Sequence, residues 1–429
     1  MSTALASRLH RGPGSQPMAY GLLGAALAFV ALPLYVLLPA FYAARTPLSL
    51  AEIGLVLLMA RSLDAVIDPL LGRLADRWLD RAWPAPMQAA SVAAWVMALG
   101  TLLLFSPPAA ATHGASLLWL LACLSLSCLG YSALGVLHQA WGIRLGGGVA
   151  GQARLVAWRE GSALLGVITA SVVATTWGMS AALMAAAGLL LLGMAALSQA
   201  SRPAPDLAAR PLSAGSASGW QLPWRVPAFR AWMAVYGLNG LASAVAASLV
   251  LFFIRDRLQW PAGEPICLAA YFLAAALSLP LWSRAARQIG MVRSWLAGMV
   301  LAIAVFAGVS ALGPSDHASF VLVCVLSGVA LGADLALPPV MLASVVAQAG
   351  HAGRHEGLYA GWSLCAGKFN LALAAGLALP LVQVLGYQPG SRDADALQAL
   401  AWVYAGLPCL LKLAAGATLW LQRSSLEST

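Results

Sequence analysis

Long apolar runs alternate with short polar breaks along this chain. Runs of mostly apolar residues, each interrupted by Gly, Pro or charge, fall at roughly 19–42, 49–75, 86–107, 115–143, 154–175, 178–198, 228–254, 261–284, 293–313, 318–348, 356–386 and 395–422. A helix needs about 20 such residues to cross the hydrocarbon of a bilayer. Each run therefore predicts one spanning helix, and the total is twelve. The longest polar stretch, 199–227, is rich in Ser, Pro, Ala and Gly and divides the runs six and six. The expected organisation is an N-terminal six-helix bundle at 1–198, a cytoplasmic linker at 199–227 and a C-terminal six-helix bundle at 228–429. The fold class is an all-α polytopic membrane protein.

Composition sharpens this picture. The 429 residues are 61% hydrophobic and only 9% charged, with a mean hydropathy of +0.82. A soluble domain carries about 25% charged residues, so a soluble protein with one core is excluded. The net charge of +9 comes from 24 Lys and Arg against 15 Asp and Glu. No basic run with interleaved aromatics points to nucleic acid, and no nucleic-acid partner is expected. The excess fits loops retained on the cytoplasmic side. With the N-terminus inside, only Arg45, Arg255, Arg257 and Arg392 fall outside, against sixteen arginines from Arg8 to Arg423 on the inner side. Both termini are thus expected in the cytoplasm, in a bacterial inner membrane. The first twenty residues hold Arg8, His10 and Arg11 and show no cleavable signal pattern. The six cysteines, Cys123, Cys128, Cys267, Cys324, Cys365 and Cys409, lie in apolar runs and are expected as buried thiols.

The second run carries the chemistry. Arg61, Asp64 and Asp68 stand at i, i+3 and i+7 and share one helix face. An ionisable group in mid-membrane costs about 2.5–3.5 kcal/mol on insertion scales. One reading is a structural ion pair locking two helices. The other is a cation site, since two acids beside one base leave negative charge over. Elsewhere, His138 either packs, binds substrate or relays a proton, and Glu160 is a candidate partner for Arg159. Asp334 has either a cavity role or a helix-end role. Lys368 and Lys412 are the only lysines; snorkelling to the membrane surface suits Lys412 better than Lys368. The halves echo one another weakly: Pro69-Leu-Leu-Gly-Arg-Leu-Ala75 ends the second run and Pro280-Leu-Trp-Ser-Arg-Ala-Ala286 the eighth. Internal repeats of this kind are common in secondary transporters, which bind substrate between repeats at mid-membrane.

Gly72-Arg-Leu-Ala-Asp-Arg-Trp-Leu-Asp-Arg81 resembles the loop motif of the major facilitator superfamily, with Trp78 or Leu79 where the motif prefers Gly. The resemblance implies a twelve-helix major facilitator fold. It also implies a conformational latch built from Gly72, Asp76 and Arg77, with Arg154 and Arg354; a basic turn obeying the inside rule is the plainer reading. A narrower likeness follows. The pattern R-x-x-D-A-x-x-D-P-x-x-G-x-x-x-D-R from Arg61 to Arg77 is similar to the second helix of the glycoside–pentoside–hexuronide:cation symporters, the melibiose-carrier-like family. Tyr131-Ser-Ala-Leu-Gly135 with Arg154 and Arg159, Gly353-Arg-His-Glu-Gly-Leu-Tyr359, and Gly367-Lys368 with Gly386-Tyr387 extend the likeness through both halves.

That resemblance implies cation binding by Asp64, Asp68 and Ser132, with either Na⁺ or H⁺ as coupling ion and no other cofactor or metal. It implies a charge network and substrate cavity lined by Arg61, Tyr131, Arg159 and Lys368, to which His138 and Gln139 are candidate additions. Sugar anchors of the family are replaced here by Ala28, Gly135 and Gln139, and acids usual near the end of helix ten by Ser344 and Gln348. The expected function is cation-coupled symport of a small organic solute by alternating access, with a glycoside as family default. A lysolipid or other amphipathic solute is the alternative, and a non-transporting sensor or scaffold a third. No HExxH, GxSxG or phosphate-cradling loop is present, so an enzyme is not expected. Membrane lipids and the substrate are the expected partners of a monomer.

Overall fold

The computed structural model describes residues 15–108, 112–203 and 219–426. Among these, the secondary structure is helical, without strands. The first span is α1 (Ser15–Leu32), a π-helical turn at Pro33–Leu37 and α2 (Leu38–Ala43). The second is α3 (Leu50–Leu79), followed by α4 (Ala85–Leu104), α5 (His113–Arg144), α6 (Gly148–Thr176) and α7 (Gly178–Gln199). The later spans are α8 (Pro227–Phe252), α9 (Glu264–Ile289), α10 (Met291–Ala307), α11 (His317–Gln348), α12 (Glu356–Val384) and α13 (Ala394–Leu421), with a last turn α14 (Arg423–Leu426). Ten of these helices are individually long and apolar enough to cross a membrane. The other two spans explain themselves. One is interrupted by its π turn, and α3 carries Arg61, Asp64 and Asp68 in its middle. The protein has the twelve-helix fold of a polytopic membrane protein.

The chain forms two compact units: Met1–Ser216 with His351–Trp362, and Ala217–Gly350 with Ser363–Thr429. The first two turns of α12 thus belong with the N-terminal helices. In the first unit α1 packs on α6 and α7, and α5 packs on α3 and α4. In the second, α8 packs on α13, and α11 packs on α9 and α10. The second and third spans of each unit therefore both rest on its fourth. A further echo lies in the first spans: each carries a π turn in its second half, Pro33–Leu37 or Phe253–Arg257. In both, the amide of the following leucine bonds five residues back, Leu38 to Pro33 and Leu258 to Phe253.

Local sequence sets the helix ends. Ser49 and Glu52 form a reciprocal capping box at the start of α3, and Glu52 also meets His113 at 2.8 Å. Thr112 caps α5 and Asp393 caps α13. Between α5 and α6, Gly146, Gly147 and Gly148 all have φ between +63° and +90°, a left-handed run that favours glycine. The Gln152 side chain then donates to the carbonyls of Gly142, Ile143 and Gly146 at 3.0–3.1 Å and closes the end of α5.

Candidate functional site

α3 is two-faced. Leu55, Leu58, Met59, Leu63, Val66, Leu70 and Leu74 are exposed along one side, an apolar row suited to hydrocarbon. The opposite row holds Ile53, Leu57, Ala60, Asp64, Asp68 and Ala75, all buried. Asp64 is 5% exposed and Asp68 fully buried. Ser132 on α5 donates its hydroxyl to Asp64 Oδ1 at 2.5 Å, at the short end of the range for O–H···O bonds. The structure thus brings Asp64 and Ser132 together, with Asp68 one turn further along the same buried face. Pro69 follows inside the helix.

The other cavity candidates divide. Tyr131 is half-buried beside Ser132, and Arg61 is exposed although its backbone shares the acidic face. Arg159 pairs with its neighbour Glu160, Nη2 to Oε1 at 2.6 Å, and the guanidinium also reaches the Tyr20 hydroxyl. His138 is engaged elsewhere. Its Nε2 meets the Tyr20 carbonyl at 2.9 Å, the Tyr20 hydroxyl donates to the His138 carbonyl at 2.9 Å, and the rings lie 4.3 Å apart. This reciprocal clasp of α1 and α5 supports the packing role among those open to His138. Gln139 is buried, and Lys368 is half-buried on α12, in the second unit. Two of the six cysteines, Cys365 and Cys409, are half-buried instead of buried.

The loop motif at 72–81 makes its contacts with residues far away in sequence. Asp76 accepts the backbone N–H of Gly357 at 2.6 Å and of Leu358 at 3.0 Å. It acts as a distant cap on the first turn of α12, where amide donors lack intrahelical partners. Close approach is possible because Gly72 faces Gly357: a Cβ on either glycine would collide with the other's carbonyl. Arg144 completes the cluster. It donates Nε and Nη2 to Glu356 Oε2 at 3.1 and 3.0 Å, and Nη1 to Asp80 at 2.9 Å. Glu356 in turn accepts the Gly353 amide. Both Arg144 and Glu356 side chains are 1% exposed. Of the residues expected in a latch, Gly72 and Asp76 thus meet the start of α12. Arg77, Arg154 and Arg354 are exposed at their loop ends, and the guanidinium at the centre belongs to Arg144. The spacing within 72–81 signals Asp76 but carries no information on Arg144 or Glu356, which lie 212 residues apart.

The second unit holds a further buried ion pair. Lys412 does not snorkel: it is 8% exposed and donates to Asp334 Oδ2 and Asn239 Oδ1, each at 2.8 Å. Asp334 also accepts from Trp295 Nε1 at 2.9 Å and from the Ser243 hydroxyl at 3.4 Å. Asp334 is thus bound into a cluster of α8, α10, α11 and α13, away from the helix ends.

The family model described as MFS/sugar transport protein matches residues 14–427. The chain belongs to this family. No curated protein matches it. Among solved structures, a bacterial homologue of the iron transporter ferroportin in an outward-facing state superposes with a TM-score of 0.71 at 13% identity, covering 95% of this chain and 99% of that one. The human organic anion transporter MFSD10 gives 0.65 at 16% identity, covering 95% and 100%. The major facilitator superfamily transporter FucP, in the outward conformation, gives 0.64 at 13% identity, covering 93% and 98%. At such identities the likeness is one of fold. This MFS/sugar transport family member is a membrane transporter of the major facilitator type.

Proposed function

We propose that this transporter is a cation-coupled symporter of a small organic solute, working by alternating access. The reading rests on one observation: Asp64 and Asp68 are buried on α3, and the Ser132 hydroxyl lies 2.5 Å from Asp64. A small hard cation favours oxygen ligands, and carboxylates with a hydroxyl provide them. A proton on either carboxylate would serve the same end. In this reading Arg61, Arg159, Lys368, Tyr131 and Gln139 contribute to the substrate path, and the cluster around Asp76 is the latch. A monomer lies in a bacterial inner membrane with both termini in the cytoplasm, following the arginine distribution.

A glycoside is the family default. An amphipathic solute is the second reading, favoured by Ala28, Gly135 and Gln139 at positions where the symporter resemblance implies acids and an aromatic platform for sugar hydroxyls. The test is uptake into proteoliposomes under an imposed Na⁺ or H⁺ gradient, with a panel of glycosides and lysolipids. Gradient-driven uptake by the wild type is expected, and its loss in Asp64→Asn and Asp68→Asn. Unchanged gradient dependence in both variants would remove the cation assignment.

A further inference from the structure

The Lys412 cluster repeats, in the second unit, the chemistry of a cation site. Asn239 and Ser243 stand at i and i+4 on α8 and so share one face. Asp334 on α11 meets that face, with Ser243 donating to its Oδ2 at 3.4 Å. The other carboxylate oxygen is held by Trp295 at 2.9 Å, so the carboxylate is fixed from two sides. A carboxylate, an amide oxygen and a hydroxyl gather in one place, and the Lys412 ammonium sits against the first two at 2.8 Å. The first unit pairs a buried carboxylate with a hydroxyl in Asp64 and Ser132.

We propose that Asp334, Asn239 and Ser243 form a site for an alkali cation and that Lys412 is the tethered cation that fills it. A tethered ligand binds without a second loss of translational freedom. Free cations are therefore excluded from the second unit while Lys412 is present. Removal of the ammonium leaves a preformed oxygen cradle with one uncompensated buried charge, a costly state. Such a cradle recruits a cation from solution. The chain thereby keeps free cations out of the second unit, whatever the solute carried. The inference does not depend on the assignment of Asp64 and Asp68.

The test uses the purified full chain as wild type, Lys412→Met and the neutral pair Asp334→Asn/Lys412→Met. Thermal unfolding is followed at pH 8 in choline chloride and in lithium, sodium or potassium chloride of equal ionic strength. The quantity compared is the cation response of each variant beyond that of wild type, so any cation held at Asp64 and Asp68 cancels. Lys412→Met is expected to have a lowered Tm in choline and to regain it saturably with at least one alkali cation. The added shift should be roughly 2–4 °C or more. The neutral pair should show no added response. Two results overturn the proposal. One is an added response that is absent in Lys412→Met or equal in the neutral pair. The other is a Lys412→Met protein that fails to fold in every salt while the neutral pair folds.

Discussion

The Asp76 carboxylate accepts the amide of Gly357 at 2.6 Å, across 281 residues of sequence. It does for α12 what a local Ser or Asp does for other helices, since it binds orphan amides at a helix N-terminus. Asp76→Ala leaves two amides without this acceptor and is expected to cost about 1–3 kcal/mol. Asp76→Asn keeps one oxygen and should cost less. Thermal unfolding of both variants in detergent gives the order; equal Tm values for Ala, Asn and wild type would contradict it.

Arg144 and Glu356 form a buried pair, and removing one partner of such a pair costs about 3–5 kcal/mol. Glu356→Ala and Arg144→Ala should each lower Tm strongly, and the double variant by much less than the sum. Arg144→Lys should fall between, because a lysine cannot reproduce the two parallel donors toward Glu356 together with the bond to Asp80. A double-mutant cycle on unfolding measures the coupling. Strict additivity would show that the pair contributes nothing.

Ser132→Ala removes the hydroxyl that bonds Asp64 and leaves both carboxylates in place. Under the proposed cation-coupled reading, the half-saturating cation concentration for uptake rises about tenfold, corresponding to about 1.4 kcal/mol; an unchanged value would remove Ser132 from the cation site. Maximal uptake should survive at high cation. Initial-rate measurements in proteoliposomes over a range of Na⁺ and pH check this.

His355 lies in the loop before α12, with the His351 ring 5.4 Å away and Arg354 and Arg144 nearby. Burial, then these positive neighbours, push its pKa from 6.5 down to about 4. The folded state thus holds His355 neutral where the unfolded chain is already protonated. Stability from this group is complete above pH 6.5 and declines as pH falls from 6.5 toward 4. His351, also lowered by burial, adds to the same decline. His355→Gln should flatten the fall of Tm across that window; an unchanged slope would show that other groups govern it.

Much of the fold is legible as spacing. The run at 318–348 predicts α11, which occupies His317–Gln348, and 228–254 predicts α8, whose π turn extends it to Arg257. Runs report length and polarity, so helices follow from them directly. The acidic face of α3 is legible for the same reason, because Asp64 and Asp68 lie four residues apart on one helix. Pairings between helices are not. Nothing in the residues near Lys412 announces Asn239 or Asp334, and a lysine near the end of an apolar run looks the same whether it reaches for the membrane surface or for a carboxylate. The same holds for His138, whose partner Tyr20 is 118 residues away.

The division of α3 into an exposed apolar row and a buried acidic one has a hereditary consequence. Exchanges among Leu, Met and Val along the outer row leave that division intact. One added or deleted codon between Ser49 and Asp64 does not, because each residue turns a helix by about 100°. Such an indel turns Asp64 by that angle away from the Ser132 hydroxyl. In this helix, the number of residues is a stricter inheritance than their identity.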